Sequence, residues 1–131
     1  MRTTGEHCIE ITQTTKGKLP RLPFVLLKEK ILGKKYDLSV AFISLSQMKK
    51  LSKEFKGNFD HTNILSFPFD KNNGEIIMNL ETIKREAKKF EHTYEEHLLF
   101  LTIHGMLHLK GHIHGHTMEK LEAQLFEKYN K

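Results

Sequence analysis

With 131 residues, 38% of them hydrophobic and 28% charged, the chain has the size and balance of one globular domain spanning 1–131, not of a disordered or fibrous protein. Its one cysteine, Cys8, excludes an internal disulfide and a Cys-rich zinc module; MRTTGEHCIEI lacks the apolar core of a signal peptide and no apolar run nears the ~20 residues of a membrane span, so the expected compartment is the cytoplasm. The net charge of +5 is uneven: residues 1–56 carry 12 Lys/Arg against 5 Asp/Glu, and residues 57–131 carry 9 against 11, so the first segment suits either a polyanionic partner or a solvated lysine-rich surface.

Taken in order, residues 6–13, EHCIEITQ, alternate apolar and polar positions and predict a first strand, followed by the turn-like TTKGK. Pro20 and Pro23 open LPFVLLKEKILG, in which Phe24, Leu27, Ile31 and Leu32 fall at helical spacing and Gly33 is a natural stop. YDLSVAFISL, residues 36–45, is β-branched and aromatic and reads as a buried strand. Ser46 then caps a second helix, QMKKLSKEF, ended by Gly57.

HTNILSFPF, residues 61–69, predicts a third strand stopped by Pro68, and DKNNG a tight turn into a fourth, EIIMNL, so that the two form a hairpin. From Glu81 the period is helical through ETIKREAKKF, YEEHLLFLTIHGMLHLK and HTMEKLEAQLFEKYNK. The expected fold is therefore α+β, a mostly four-stranded mixed sheet with about five helices packed on it.

The densest chemistry is in HGMLHLKGHIH, residues 104–114. Leu98, Leu101, Thr102, Gly105 and Leu109 form a core-facing stripe of the helix over 94–110, with His104 and His108 beside it. Residues four apart on a helix have Cβ atoms about 5–6 Å apart, so two imidazoles there can reach one ion. Gly111 can take the left-handed conformation that ends the helix and brings His114 back as third ligand.

The pattern H-x-x-x-H-x-x-G-x-x-H has metzincin spacing, in which three histidines leave one coordination position open. Two His at i and i+4 are by themselves commonly ordinary surface or core residues; the glycine and the third His shift the balance to a metal. His112 and His116 read as second-layer, substrate-contacting or solvent-facing residues, and His7, His61, His92 and His97 carry no functional expectation. Zincin peptidases place a Glu general base where this chain has Gly105, so peptide hydrolysis by that route is not expected. A metal with a phosphodiester target remains, and it calls for a cation to offset charge developing on phosphorus.

HGMLHLKGHIH, with TNILSFPF and the following GEIIMN, resembles the YbeY family of bacterial metal-dependent endoribonucleases, also described as rRNA maturation factors. The likeness covers roughly residues 37–125. It implies Zn²⁺ held by His104, His108 and His114, nickel being also acceptable to three imidazoles, with Lys56 and His108 as catalytic candidates. It further implies cleavage of single-stranded RNA, with precursors of small-subunit rRNA at the 16S 3′ end as substrate and ribosome quality control as context.

Two positions depart from the family pattern: His112 and Ile113 stand where Tyr-Asp is usual, and Lys56 where Arg is usual, which keeps the charge but loses the bidentate fork. In TNILSFPF, Ile64, Leu65 and Phe67 read as core, while the resemblance sets the strand beside the cleft, with Asn63 or Ser66 able to hold a substrate backbone. The alternatives are a ribosome-assembly factor whose metal is mainly structural, and a metal-dependent hydrolase of another substrate, against which Gly105 argues.

Overall fold

The computed structural model describes residues 9–56 and 63–130. Strand β1 is Ile9–Gln13, helix α1 Phe24–Ile31, β2 Asp37–Phe42, α2 Leu45–Lys56, β3 Ile64–Asp70 and β4 Asn73–Met78. Helix α3, Leu80–Glu86, runs into a 3₁₀ turn, Ala87–Phe90, and α4, Tyr94–Lys110, and α5, His116–Tyr129, complete the chain. The strand order is β1-β2-β4-β3, with β1, β2 and β4 parallel and β3 antiparallel to β4. The mixed four-stranded sheet and five α-helices agree with the α+β expectation.

Side-chain alternation distributes the sheet between two layers. Leu38, Val40, Phe42, Ile76 and Met78 face a core built with Phe24, Leu27 and Ile31 of α1, Ile83 of α3, Met118 of α5 and Leu98, Ile103 and Met106 of α4. The opposite face, through Leu65, Ile77 and Phe67, packs on Met48 and Leu51 of α2. On β3 the same alternation sends Leu65 and Phe67 toward α2 and Ile64 and Ser66 toward α4. Strand β3 is thus core on one face and cleft wall on the other.

Four local expectations are corrected. The cap of α2 is Ser44, not Ser46: the Ser44 hydroxyl accepts from the Gln47 N–H at 3.3 Å while Gln47 Oε1 accepts from the Ser44 N–H at 3.2 Å, a reciprocal capping box. That cap ends β2 at Phe42, short of the expected 45. Pro68 does not stop β3, which continues to Asp70, because β3 lies at the end of the strand order and its missing N–H faces no second neighbour. ETIKREAKKF is α-helical only to Glu86 and then tightens into 3₁₀.

Residues 6–8 of the first expected strand, residues 61 and 62 of the third, and Gly57 lie outside the described residues. The hairpin forms, with Lys71 and Asn72 as its turn and Asp70 Oδ1 accepting the Asn72 N–H at 2.8 Å, but its second strand is Asn73–Met78 and not 75–80, because Asn79 caps α3 by accepting the Thr82 N–H at 2.8 Å.

Helix α4 carries the site, and its ends are well defined. Thr93 caps it through the Glu96 N–H at 3.1 Å, and Glu96 returns the bond to the Thr93 N–H at 2.8 Å. Gly111 ends it at φ 110°, ψ 1°, in the left-handed region anticipated for it. The stripe Leu98, Leu101, Thr102, Gly105 and Leu109 is buried as the periodicity predicts. The fully buried His97 ties α4 to α3 through Glu86 Oε2 at 2.7 Å.

Candidate metal centre

The two helix histidines arise from adjacent turns of α4, and the glycine turn after Lys110 returns His114 to them. The rings of His104 and His108 are 4.5 Å apart between centroids, and that of His114 is 5.1 Å and 4.9 Å from theirs. One nitrogen from each lies within 4.8 Å of the others. The spacing expectation for His104, His108 and His114 thus becomes one cluster, and it is the only group of three or more His, Cys, Asp or Glu among the described residues arranged to hold an ion.

Which nitrogens face the common point follows from the partners of the others. Nδ1 of His108 is 3.0 Å from the His112 carbonyl, an acceptor only, so it carries the proton and leaves a lone pair on Nε2. Nδ1 of His104 is 2.6 Å from Glu122 Oε2, which accepts its hydrogen bond. The two Nε2 atoms are 3.0 Å apart.

Two lone pairs facing each other at that distance repel unless a cation shares them, so the donor set fits a divalent ion with imidazole affinity. Burial, and then the neighbouring His104, hold the His108 imidazole below the ordinary histidine range, which favours the neutral form a ligand needs.

Glu122 escaped sequence reading. It lies eighteen residues after His104 on a helix with its own polar surface, and only the packing of α5 on α4 turns it inward, where its side chain is 8% exposed. A carboxylate on the far nitrogen of a ligand histidine fixes its tautomer and raises its basicity. The His112 backbone carbonyl does the same for His108, giving His112 a positioning role through the main chain that side-chain chemistry could not reveal. The one local signal for Glu122 was an acid within the apolar rhythm of α5.

Gly105 has a structural cause that spacing alone did not provide. A Cβ there would lie 2.8 Å from Ile64 Cδ1 and 3.2 Å from both Ile76 Cδ1 and Ser66 Oγ. The helix therefore sits close on β3 and β4, and a side chain at the position where peptidases carry their base would have to displace Ile64. Ser66 Oγ reaches the Gly105 carbonyl at 3.4 Å.

Together β3 and the histidines border a cleft of about 570 Å³, lined among others by Asn63, Ser66, Pro68, His104, His108 and His114. Asn63 is held there, its Nδ2 donating to Glu86 at 3.1 Å and its Oδ1 accepting from the Ile64 N–H at 2.7 Å. Lys56 is the last residue of α2, and its side chain lies outside the described residues. Ile113 is 81% exposed at the rim. His116, on the first turn of α5, is exposed; the His97 ring stacks with Phe90 and Phe100, and the His92 ring stacks with Phe90. His7 and His61 lie outside the described residues.

Comparison with known proteins points in one direction. A family model described as Endoribonuclease YbeY matches residues 6–130. A relative of that name from Chelativorans sp. is 37% identical over 105 residues, 70% of this chain and 64% of its own length. One from Thermosipho melanesiensis is 33% identical over 108 residues, 76% of this chain and 78% of its own. One from Clostridium botulinum is 26% identical over 156 residues, 95% and 94% of the two chains.

The match thus spans somewhat less than two thirds of the first of these relatives and nearly all of the last. A solution structure of a protein from Thermotoga maritima superposes with a TM-score of 0.61 at 26% identity, covering 92% of this chain and 88% of that one.

Proposed function

Because the chain belongs to the YbeY endoribonuclease family, we propose that it is a metal-dependent endoribonuclease acting on single-stranded RNA. The observation that carries the reading is the pair of inward Nε2 atoms of His104 and His108, 3.0 Å apart beside His114, with both Nδ1 atoms committed to other partners. Three imidazoles from this chain and no fourth side chain in the cluster among the described residues favour a site with an open position.

We assign Zn²⁺ to it, nickel being chemically acceptable to the same donors. Such an ion, when bound, supplies a Lewis acid and lowers the pKa of a coordinated water toward 7.

The remaining roles belong to the chain itself. Glu122 keeps the His104 proton on Nδ1, and the His112 carbonyl keeps that of His108, so both rings stay oriented as ligands. The wall formed by Asn63, Ile64 and Ser66 supports the RNA backbone alongside the histidines. Lys56, at the end of α2, offsets charge developing on phosphorus; as a lysine it does so as a point charge, without the fork of an arginine. Gly105 stands where peptidases carry their base, and with the family this favours a phosphodiester as target. The biological substrate in this reading is precursor rRNA of the small ribosomal subunit in the cytoplasm, including the 16S 3′ end.

The test is cleavage of structured and unstructured RNA by the purified protein with and without chelator, beside a His108→Ala preparation. Loss of cleavage of the unstructured RNA in both comparisons supports the reading. Cleavage that persists unchanged in His108→Ala belongs to another nuclease and overturns it.

A further inference from the structure

Away from the histidines, the ends of the parallel strands create a second concavity. Strands β1, β2 and β4 finish at Gln13, Phe42 and Met78, and the segments after them, residues 15–18, 44–45 and 79–81, line a cleft of about 350 Å³ with Lys84 of α3 and Tyr94 of α4. The carboxyl edge of parallel strands is where open α/β sheets bind ligands. Its lining carries three cations, Lys16, Lys18 and Lys84, against one carboxylate, Glu81. None of the three lysines has an ion-pair partner among the described residues.

The loop bearing two of these lysines is anchored. The Thr14 N–H donates to the Phe42 carbonyl at 3.0 Å and Gln13 Nε2 to the Gly17 carbonyl at 3.0 Å, while Gly17, at φ 114°, turns the chain between Lys16 and Lys18. The opposite wall is the start of the twelve-residue α2, whose dipole adds positive potential. The Tyr94 ring faces Lys84 Nζ at 5.8 Å and so is already engaged. The cleft thus offers cations and no open aromatic slot, which is chemistry for a phosphate and not for a base.

The linings of the two clefts are joined by one main-chain bond. Asn79 lines the basic one and Asn63 the histidine one, and the Asn79 N–H donates to the Asn63 carbonyl at 3.0 Å. Tyr94 and His108, one in each lining, are fourteen residues apart on α4, about 21 Å along its axis.

We propose that the lysine cleft is a remote, sequence-independent subsite for the phosphates of an RNA strand that also occupies the histidine cleft. This rests on the RNA reading above. It accounts for three of the basic residues as a binding feature.

The experiment is anisotropy of labelled single-stranded RNAs of about 4 and about 16 nucleotides, the span of common single-strand site sizes. The full-length protein is compared with Lys16→Ser/Lys18→Ser/Lys84→Ser and with a charge-matched control, Lys30→Ser/Lys35→Ser/Lys120→Ser, whose lysines lie outside both clefts. Each lost phosphate contact lowers the salt slope of log affinity by about 0.7 to 1.

The site variant is expected to lose about two units of slope on the 16-mer relative to the control, together with the affinity gained on lengthening the RNA. Equal slopes for the two variants overturn the proposal. So does thermal stabilisation by inorganic phosphate that the site variant alone loses while the length dependence persists, since the cleft then takes free phosphate. Binding is read in chelator, without cleavage, so an absence of nuclease activity in the metal-loaded protein would overturn the reaction assigned above and leave this measurement decisive for the subsite.

Discussion

Replacing Glu122 with Gln probes the least visible part of the site. The carboxylate accepts from His104 Nδ1 at 2.6 Å in a setting where the two side chains are 18% and 8% exposed, so solvent screens the pair only partly. Gln keeps the shape and one acceptor oxygen but removes the charge. A hydrogen bond to a charged group is worth about 1.5–3 kcal/mol and a neutral one about 0.5–1.5 kcal/mol. The difference, about 1–2 kcal/mol, enters the metal equilibrium because a fixed tautomer and a more basic Nε2 matter chiefly when the ion is bound.

At about 1.4 kcal/mol per tenfold, Glu122→Gln should weaken metal affinity by about 5- to 30-fold. Competition against a chromogenic chelator measures it, and the melting temperature of metal-free protein, expected to change little, separates lost affinity from lost folding. An unchanged dissociation constant would refute the claim that Glu122 supports the ligand.

Gly105→Ala sets a steric cost against a helical gain. The added Cβ meets Ile64 Cδ1 at 2.8 Å, an overpacking worth about 1–3 kcal/mol, while leaving Gly in mid-helix returns about 0.8–1 kcal/mol. Denaturant unfolding should show a net loss of about 0–2 kcal/mol, and a clear gain in stability would contradict the tight approach of α4 to β3. Lys56→Ala should lower kcat/KM for RNA cleavage by about tenfold or more, with Lys56→Arg retaining at least wild-type activity; equal rates for the wild type and the Lys56→Ala variant would remove this lysine from the reaction. Ser44→Ala should cost about 1 kcal/mol of stability and Ser46→Ala close to nothing, and the reverse ranking in thermal unfolding would return the cap to Ser46.

The order of elements was legible because hydrophobic period and punctuation agreed along most of the chain. Gly33 and Gly111 end helices where a left-handed residue was needed, and the α4 stripe is buried as its spacing implied. What was misread depended on neighbours. Ser44 and Ser46 are equivalent caps by composition, and the partner Gln47 decides between them. Pro68 reads as a breaker until the strand order sets β3 at the end of the sheet.

In the site, His104, His108 and His114 were legible because one helix and one turn bring them together. Glu122 was not, since its inward aim comes from the contact between α4 and α5, and the His112 carbonyl belongs to the backbone, which every residue shares. Gly105 was visible as a missing acid, but the reason for it lay in Ile64 and Ile76, far away in sequence.

In the function proposed above, one ion in the histidine triad is required for RNA cleavage. Titrating Zn²⁺ into chelator-treated protein, with bound metal and cleavage of single-stranded RNA followed in the same samples, tests it most directly. Cleavage is expected to rise with occupancy to a plateau at about one ion per chain, and His108→Ala to gain neither. Full cleavage by the metal-free protein, or an RNA-cleaving His108→Ala that binds no ion, would contradict it.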